Sequence, residues 1–266
     1  MTALPAVIVA HAEERRLAPI EKWLTEGNDP DLRADNGATL MHYALCSTES
    51  SPASLPICRL LLAHGSDPNH QPFTGPDSAE WNVLFYAVTA TTLQTNKSLE
   101  LMVMLIRSGA RVDVVDVDGE HLLHTCVQYL RGEPFNLRIE VLRLLLSRGA
   151  PLLVKDERGR TAEEFAEWLL NTYGESQRDG TVTFLRDVRL AGGWKRYVNA
   201  PRASLLILRE LCNRGRAAPP LALARLFCTS SDSARPRTRR NPRAPLPTPV
   251  FWHVLGYWRS DRDAIA

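Results

Sequence analysis

One local pattern constrains this chain more than any other: an apolar helix that stops on a glycine. It occurs as Leu60-Leu61-Leu62-Ala63-His64-Gly65, as Met104-Leu105-Ile106-Arg107-Ser108-Gly109 and as Leu144-Leu145-Leu146-Ser147-Arg148-Gly149, with a degraded copy at Trp23-Leu24-Thr25-Glu26-Gly27. Glycine ends helices because the residue after the C-cap takes a left-handed conformation that a Cβ makes costly. A second glycine follows at fixed distance: Gly27 to Gly37, Gly109 to Gly119 and Gly149 to Gly159 are each ten residues apart. The chain is therefore read as an array of one small unit, each copy too thin to bury its own apolar face and dry only against its neighbours.

A short helix start follows the second glycine. It reads Gly37-Ala38-Thr39-Leu40-Met41-His42-Tyr43-Ala44, Trp81-Asn82-Val83-Leu84-Phe85-Tyr86-Ala87, Gly119-Glu120-His121-Leu122-Leu123-His124 and Gly159-Arg160-Thr161-Ala162-Glu163-Glu164-Phe165-Ala166. Over roughly residues 4–170 this resembles the ankyrin-repeat family, whose pattern is Gly-x-Thr-Pro-Leu-His, a helix, a loop and Val-x-x-Leu-Leu-x-x-Gly-Ala. The resemblance implies an all-α fold: a solenoid of helix pairs joined by short β-hairpin turns and capped by a C-terminal helical segment. Its repeat positions fall on Gly37, Thr39, His42, Gly65, Gly109, Gly119, His124, Gly149 and Gly159. The expected organisation is an ankyrin-repeat domain over 1–175 in four to five copies (5–34, 35–70, 78–113, 117–154 and a partial 157–190), a helical cap over 181–228, an Arg/Pro-rich linker over 229–245 and a terminal aromatic helix over 246–260.

Details along the chain sharpen these expectations. Thr39 is placed to cap a helix, and His42 and His124 read as structural histidines that tie one turn to the next. His121 stands where the family has threonine. It lies three residues from His124, yet no Cys, His or acid completes a ligand set, so no metal is expected. The links between paired helices are long: His42 to Gly65, Phe85 to Gly109 and His124 to Gly149 span 23, 24 and 25 residues, against about 18 in the family's 33-residue repeat. The surplus is assigned to surface loops at Ser47–Ser54, Thr89–Lys97 and Val127–Leu137. One hairpin is enlarged, His70 to Asp77, and carries Phe73 at its tip. In the last copy Trp168 and Leu169 are expected to pack on the copy before it. Beyond it, Val182–Leu190, Trp194–Val198 and Ala203–Asn213 read as separate helices, the last buried through Leu205, Leu206, Ile207, Leu208 and Leu211.

Charge divides the chain. Residues 1–200 carry 20 basic and 26 acidic side chains, a net of −6, and residues 201–266 carry 12 arginines against four acids, a net of +8. Five of those arginines (235, 237, 239, 240 and 243) sit among Ser, Thr and Pro without aromatic residues. A solvated linker is favoured over a nucleic-acid contact, with nuclear targeting as the alternative to a cytoplasmic location. The five cysteines are odd in number and widely spaced, as expected of free thiols in a reducing compartment. No apolar run approaches the roughly 18 residues of a membrane span, and the N-terminal run Ala3 to Ala12 reads as a first helix, since no basic residue precedes it.

The sequence holds no phosphate-binding glycine loop with lysine, no nucleophile elbow and no metal spacing. The expected function is non-catalytic: a scaffold that binds a partner protein through its hairpins and inner helices, without cofactor, membrane or nucleic acid. Candidate contacts are the hairpin residues Arg33, His70, Phe73, Arg111, Asp118, Lys155 and Arg158, taken as exposed. A convergent site built on Cys126 and His124 is the enzymatic alternative. The tail carries a second resemblance, to the ankyrin and SOCS-box adaptors of cullin ubiquitin ligases. Leu208-Arg209-Glu210-Leu211-Cys212 fits that family's elongin-contacting Leu-x-x-x-Cys, and Leu246-Pro247-Thr248-Pro249 fits its cullin-selecting Leu-Pro-x-Pro. The match implies ligase recruitment through Leu208, Cys212, Leu246, Pro247 and Pro249 and an elongin/cullin partner. Arg216 stands where an apolar residue is expected, an F-box-like helix over Leu246–Leu255 fits as well, and the alternative is a tail that only caps the last repeat.

Overall fold

Among the described residues, the turns that follow the helix-stop glycines Gly27, Gly109 and Gly149 are closed by the same pair of backbone bonds. Ala34 N–H donates to the Ala38 carbonyl (2.9 Å) and Gly37 N–H to the Ala34 carbonyl (2.8 Å), and the pattern recurs at Asp116/Glu120/Gly119 and at Asp156/Arg160/Gly159. These contacts come from a computed structural model that describes residues 3–46, 54–71, 82–89, 95–116, 119–130, 135–173, 180–214 and 216. The second-glycine spacing is thus the signature of one recurring turn. Gly119 shows why its tip is glycine: φ is +67°, a conformation that side chains rarely adopt, although a Cβ would make only an ordinary contact of 3.5 Å with the backbone nitrogen of Glu157 in the next turn.

The described residues form eleven helices: α1 Ala6–Glu13, α2 Leu17–Thr25, α3 Leu40–Cys46, α4 Ser54–Ala63, α5 Val83–Thr89, α6 Thr95–Arg107, α7 Leu122–Tyr129, α8 Phe135–Ser147, α9 Ala162–Tyr173, α10 Thr181–Leu190 and α11 Trp194–Asn213. The class is all-α. The expected β-hairpins are turns without strands among the described residues, where a single bridge pairs Val115 with His121. No described helix is long and apolar enough to cross a membrane.

The chain divides into two units, Met1–Arg186 and Asp187–Ala266. In the first, α1 packs on α2, α3 on α4, α5 on α6 and α7 on α8, while α1, α3, α5, α7 and α9 form one row and α2, α4, α6 and α8 a second. The core lies between the rows. Ile20, Leu61, Leu105, Leu142 and Leu145 come from the second row and Met41, Leu84, Phe85 and Leu122 from the first, all fully buried. Each such side chain contributes roughly 1.5–3 kcal/mol of transfer free energy, and no helix in either row reaches that burial without its neighbours.

Helix ends explain the spacing of the glycines. After α4, α6 and α8 the two N–H groups of the Schellman arrangement are both satisfied: Gly149 donates to Leu146 (3.2 Å) and Ala150 to Leu145 (3.0 Å), with equivalents at Gly65/Ser66 and Gly109/Ala110. At Gly149 φ is +92° and a Cβ would meet nothing within 4 Å. The requirement there is conformational and not one of space.

Three expectations are corrected. Part of the surplus between paired helices is helical: α6 begins at Thr95, α7 runs through Tyr129 and α8 begins at Phe135. Polar residues such as Thr95 and Asn96 are no obstacle in a first turn, where backbone N–H groups have no helical partner, and Leu130 is fully buried after α7. In the second unit α11 is one helix of 20 residues that passes through Pro201, which removes a single N–H from the ladder. Its apolar run is not its buried face: Ile207 is 63% exposed and Leu205, Leu206, Leu208 and Leu211 are half-buried, whereas Arg209 and Cys212 are buried.

Candidate interaction site

The first row presents its N-terminal helix ends to the turns, and three different residues perform one capping task there. Asn82 Oδ1 accepts from the N–H groups of Leu84 (3.0 Å) and Phe85 (3.3 Å). His121 Nδ1 accepts from Leu123 N–H at 3.2 Å. Thr161 Oγ1 accepts from Glu164 N–H (3.4 Å) while the Glu164 carboxylate takes the Thr161 N–H (2.7 Å), a reciprocal capping box. At Thr39 the ring of His42 accepts the backbone N–H at 3.2 Å, and His124 does the same for His121 N–H at 3.1 Å.

These histidines also join successive copies. His124 Nε2 lies 3.0 Å from the Arg160 carbonyl in the following turn. The His42 ring meets Tyr86 of the next row helix edge-on at 5.9 Å, and His124 meets Phe165 at 6.0 Å. Burial lowers the pKa of His42 and of His121 to about 4, against opposing contributions from the backbone of His70 and of Val112 respectively. His124 is lowered too, chiefly by burial. All three are neutral at pH 7, as acceptance of a backbone N–H at each Nδ1 requires.

At the first turns Asp31 anchors a network. Its carboxylate accepts from Ser66 Oγ (2.6 Å) and Asp67 N–H (2.9 Å), and lies 3.3 Å from His70 Nε2. His70 Nδ1 lies 2.8 Å from an Arg33 guanidinium nitrogen, which fixes the tautomer: Nε2–H donates to Asp31 and Nδ1 accepts from Arg33. Arg33 and His70 are therefore half-buried members of an internal network, which corrects the expectation that they stand exposed. Arg111 is exposed and forms a fork with Asp113 at 3.1 and 3.2 Å. Lys155 and Arg158 are exposed. Phe73 and Asp118 lie outside the described residues.

A cleft of about 390 Å³ opens between α7, α9 and the turn of residues 156–160. Its wall is built on Arg160. The guanidinium pairs with Asp156 Oδ2 at 2.7 and 2.9 Å and lies over the rings of Phe165 (4.7 Å) and Trp168 (4.8 Å). Burial alone would raise the Asp156 pKa, but the N–H and guanidinium of Arg160 outweigh it and hold the carboxyl ionised below its usual range. Phe165 and Trp168 stack at 5.9 Å, and Tyr173 meets Trp168 edge-on at 6.3 Å. Trp168 thus faces the cleft, 37% exposed, in place of the interior packing expected of it, while Leu169 beside it is buried. Glu120, Gln128 and Glu157 complete the rim.

Sequence reasoning placed Arg158 here and missed Asp156, Arg160, Trp168 and Tyr173. Two signals were present: an acid and a base four apart across a turn glycine, and aromatics at Phe165 and Trp168, three apart on one helix face. Cys126 is fully buried, and burial pushes its thiol well above the ordinary range, so it does not form the thiolate that nucleophilic chemistry with His124 needs. No group of three His, Cys, Asp or Glu among the described residues is arranged to hold a metal. On α11 Cys212 is buried and Leu208 half-buried; Leu246, Pro247 and Pro249 lie outside the described residues. No family model matches the chain, and no curated protein matches it.

Proposed function

We propose that residues 1–175 form an ankyrin-repeat solenoid whose work is to hold a partner protein, without catalysis. The observation that carries this reading is the ladder of copies: two rows of helices, one recurring turn and, at His42 and His124, a buried ring packed on an aromatic of the next row helix. That construction supports an extended, rigid surface of turns and first-row helices, which suits recognition of another protein. The exposed turn residues Arg111, Lys155 and Arg158 and the cleft beside them are the contacts assigned to it. Capture of partners by the intact chain, followed by the same experiment with Arg111→Glu, Lys155→Glu and Arg158→Glu combined, tests the reading. Loss of one specific partner with an unchanged circular-dichroism melt is expected. Capture that survives the triple variant removes the turns from the interface. Ligase recruitment through the tail is the second reading, and the burial of Cys212 gives it no support.

A further inference from the structure

We propose that the cleft between α7 and α9 is a receptor for an arginine side chain presented by an extended basic segment of the partner protein. The proposal rests on the reading of the chain as an interaction scaffold and names the chemistry of what it holds. Three observations converge on it. First, the wall already displays the mode of recognition in its own Arg160, whose guanidinium carbon lies 4.7 and 4.8 Å from the ring centroids of Phe165 and Trp168 while Asp156 Oδ2 accepts from two of its nitrogens. Planar stacking combined with bidentate pairing is what arginine does better than lysine. Second, aromatic surface remains for another such group, since Trp168 and Tyr173 are 37% and 56% exposed on the cleft side of α9.

Third, the charge is of the right sign. Asp156 and Arg160 neutralise one another. Among the described lining residues the carboxylates of Glu120 and Glu157 stand beside this pair, against the cation of Arg158. The field is felt locally: Tyr129, at the end of α7, has its phenol pKa raised first by burial and then by the negative charges of Glu120 and Asp116. The volume of about 390 Å³ falls at the small end of the range of about 300–1,000 Å³ found for small-molecule sites, which leaves room for one side chain.

Fluorescence anisotropy tests this with the full chain and a fluorescein-labelled Gly-Ser-Arg repeat peptide, beside matched peptides carrying Gln or Glu in place of Arg. Binding of the Arg peptide alone is expected, weaker at high salt. Glu120→Gln and Trp168→Ala are each expected to weaken it roughly tenfold, with Trp168→Phe restoring most of the loss because a ring face is kept. Equal binding of the three peptides, no binding of the Arg peptide, or affinity indifferent to both substitutions overturns the proposal. If partner capture still depends on Arg111, Lys155 and Arg158 in that event, the scaffold reading stands and only the cleft assignment falls. Self-association that Glu120→Gln abolishes, seen in sedimentation without peptide binding, gives the cleft to a second copy of this chain and likewise overturns it.

Discussion

His121 is one of three buried histidines that favour acid unfolding, and one substitution removes its share. The ring is fully buried and caps α7 through Nδ1, so only the neutral form fits. Its pKa falls from 6.5 to about 4 in the folded chain. The unfolded chain therefore binds a proton that the folded chain refuses. Stability is unaffected by this group above pH 6.5 and is lost progressively as pH falls from 6.5 towards 4. A tenfold difference in proton affinity between the two states corresponds to about 1.4 kcal/mol, so His121 alone removes about 2 kcal/mol between pH 7 and pH 5 and about 3 kcal/mol by pH 4. Asparagine is the diagnostic replacement, since Asn82 already performs the same cap one copy earlier. Urea unfolding of the wild type and His121→Asn, followed by circular dichroism across that range, is the assay. At an m-value of about 2 kcal/mol/M, the wild-type midpoint falls by about 1 M more than the variant's between pH 7 and pH 5. His42 and His124, whose unfolded forms take up a proton in the same range, are common to both chains and cancel in the comparison. Equal pH dependence of the two proteins refutes the assignment of His121 as a buried neutral cap.

Three further outcomes follow from the geometry. Gly149→Ala is expected to cost about 1–2 kcal/mol although its Cβ meets nothing, and Gly149→Asn less, since asparagine tolerates the left-handed region; thermal melts of the pair rank them, and the reverse order refutes a conformational cause. Arg138 is buried and donates Nε to the Leu130 carbonyl at 3.0 Å, so Arg138→Met is expected to lower stability by about 1.5–3 kcal/mol in urea titration, and an unchanged midpoint refutes its capping role. Thr161→Ala is expected to cost about 1 kcal/mol through loss of the α9 capping box, with Thr161→Ser near wild type in the same titration.

What was legible in the sequence was what local stereochemistry enforces. The positive φ at Gly119 and Gly149 is required by a turn and a helix stop, so the residue type alone betrays it. His124 links its own helix start to the Arg160 carbonyl of the next turn, as its structural reading expects, whereas at Thr39 it is the ring of His42 that takes the backbone N–H. The site was much less legible. Arg33 and His70 look like free turn residues until Asp31, nearly forty positions from His70, is brought beside them. Arg160 gains meaning only when α9 lays two rings under its guanidinium. The faces of α11 were read from hydropathy, yet Arg209 is buried and Ile207 is out, because apolar content along a helix does not say which stripe meets a neighbour.

The two rows of the first unit have a consequence for how it comes apart. From α1 to α8 the principal contacts of each helix are with its pair and with its neighbours in the row, so α1 and α2 are held from one direction only while α5 and α6 are held from two. Amide exchange graded from slow in α5 and α6 to fast in α1 and α2 is the expected result. By the same logic a whole copy can be duplicated or removed from the interior with two joints to remake and no distant contact to repair, which leaves the reach of the unit free to change by steps.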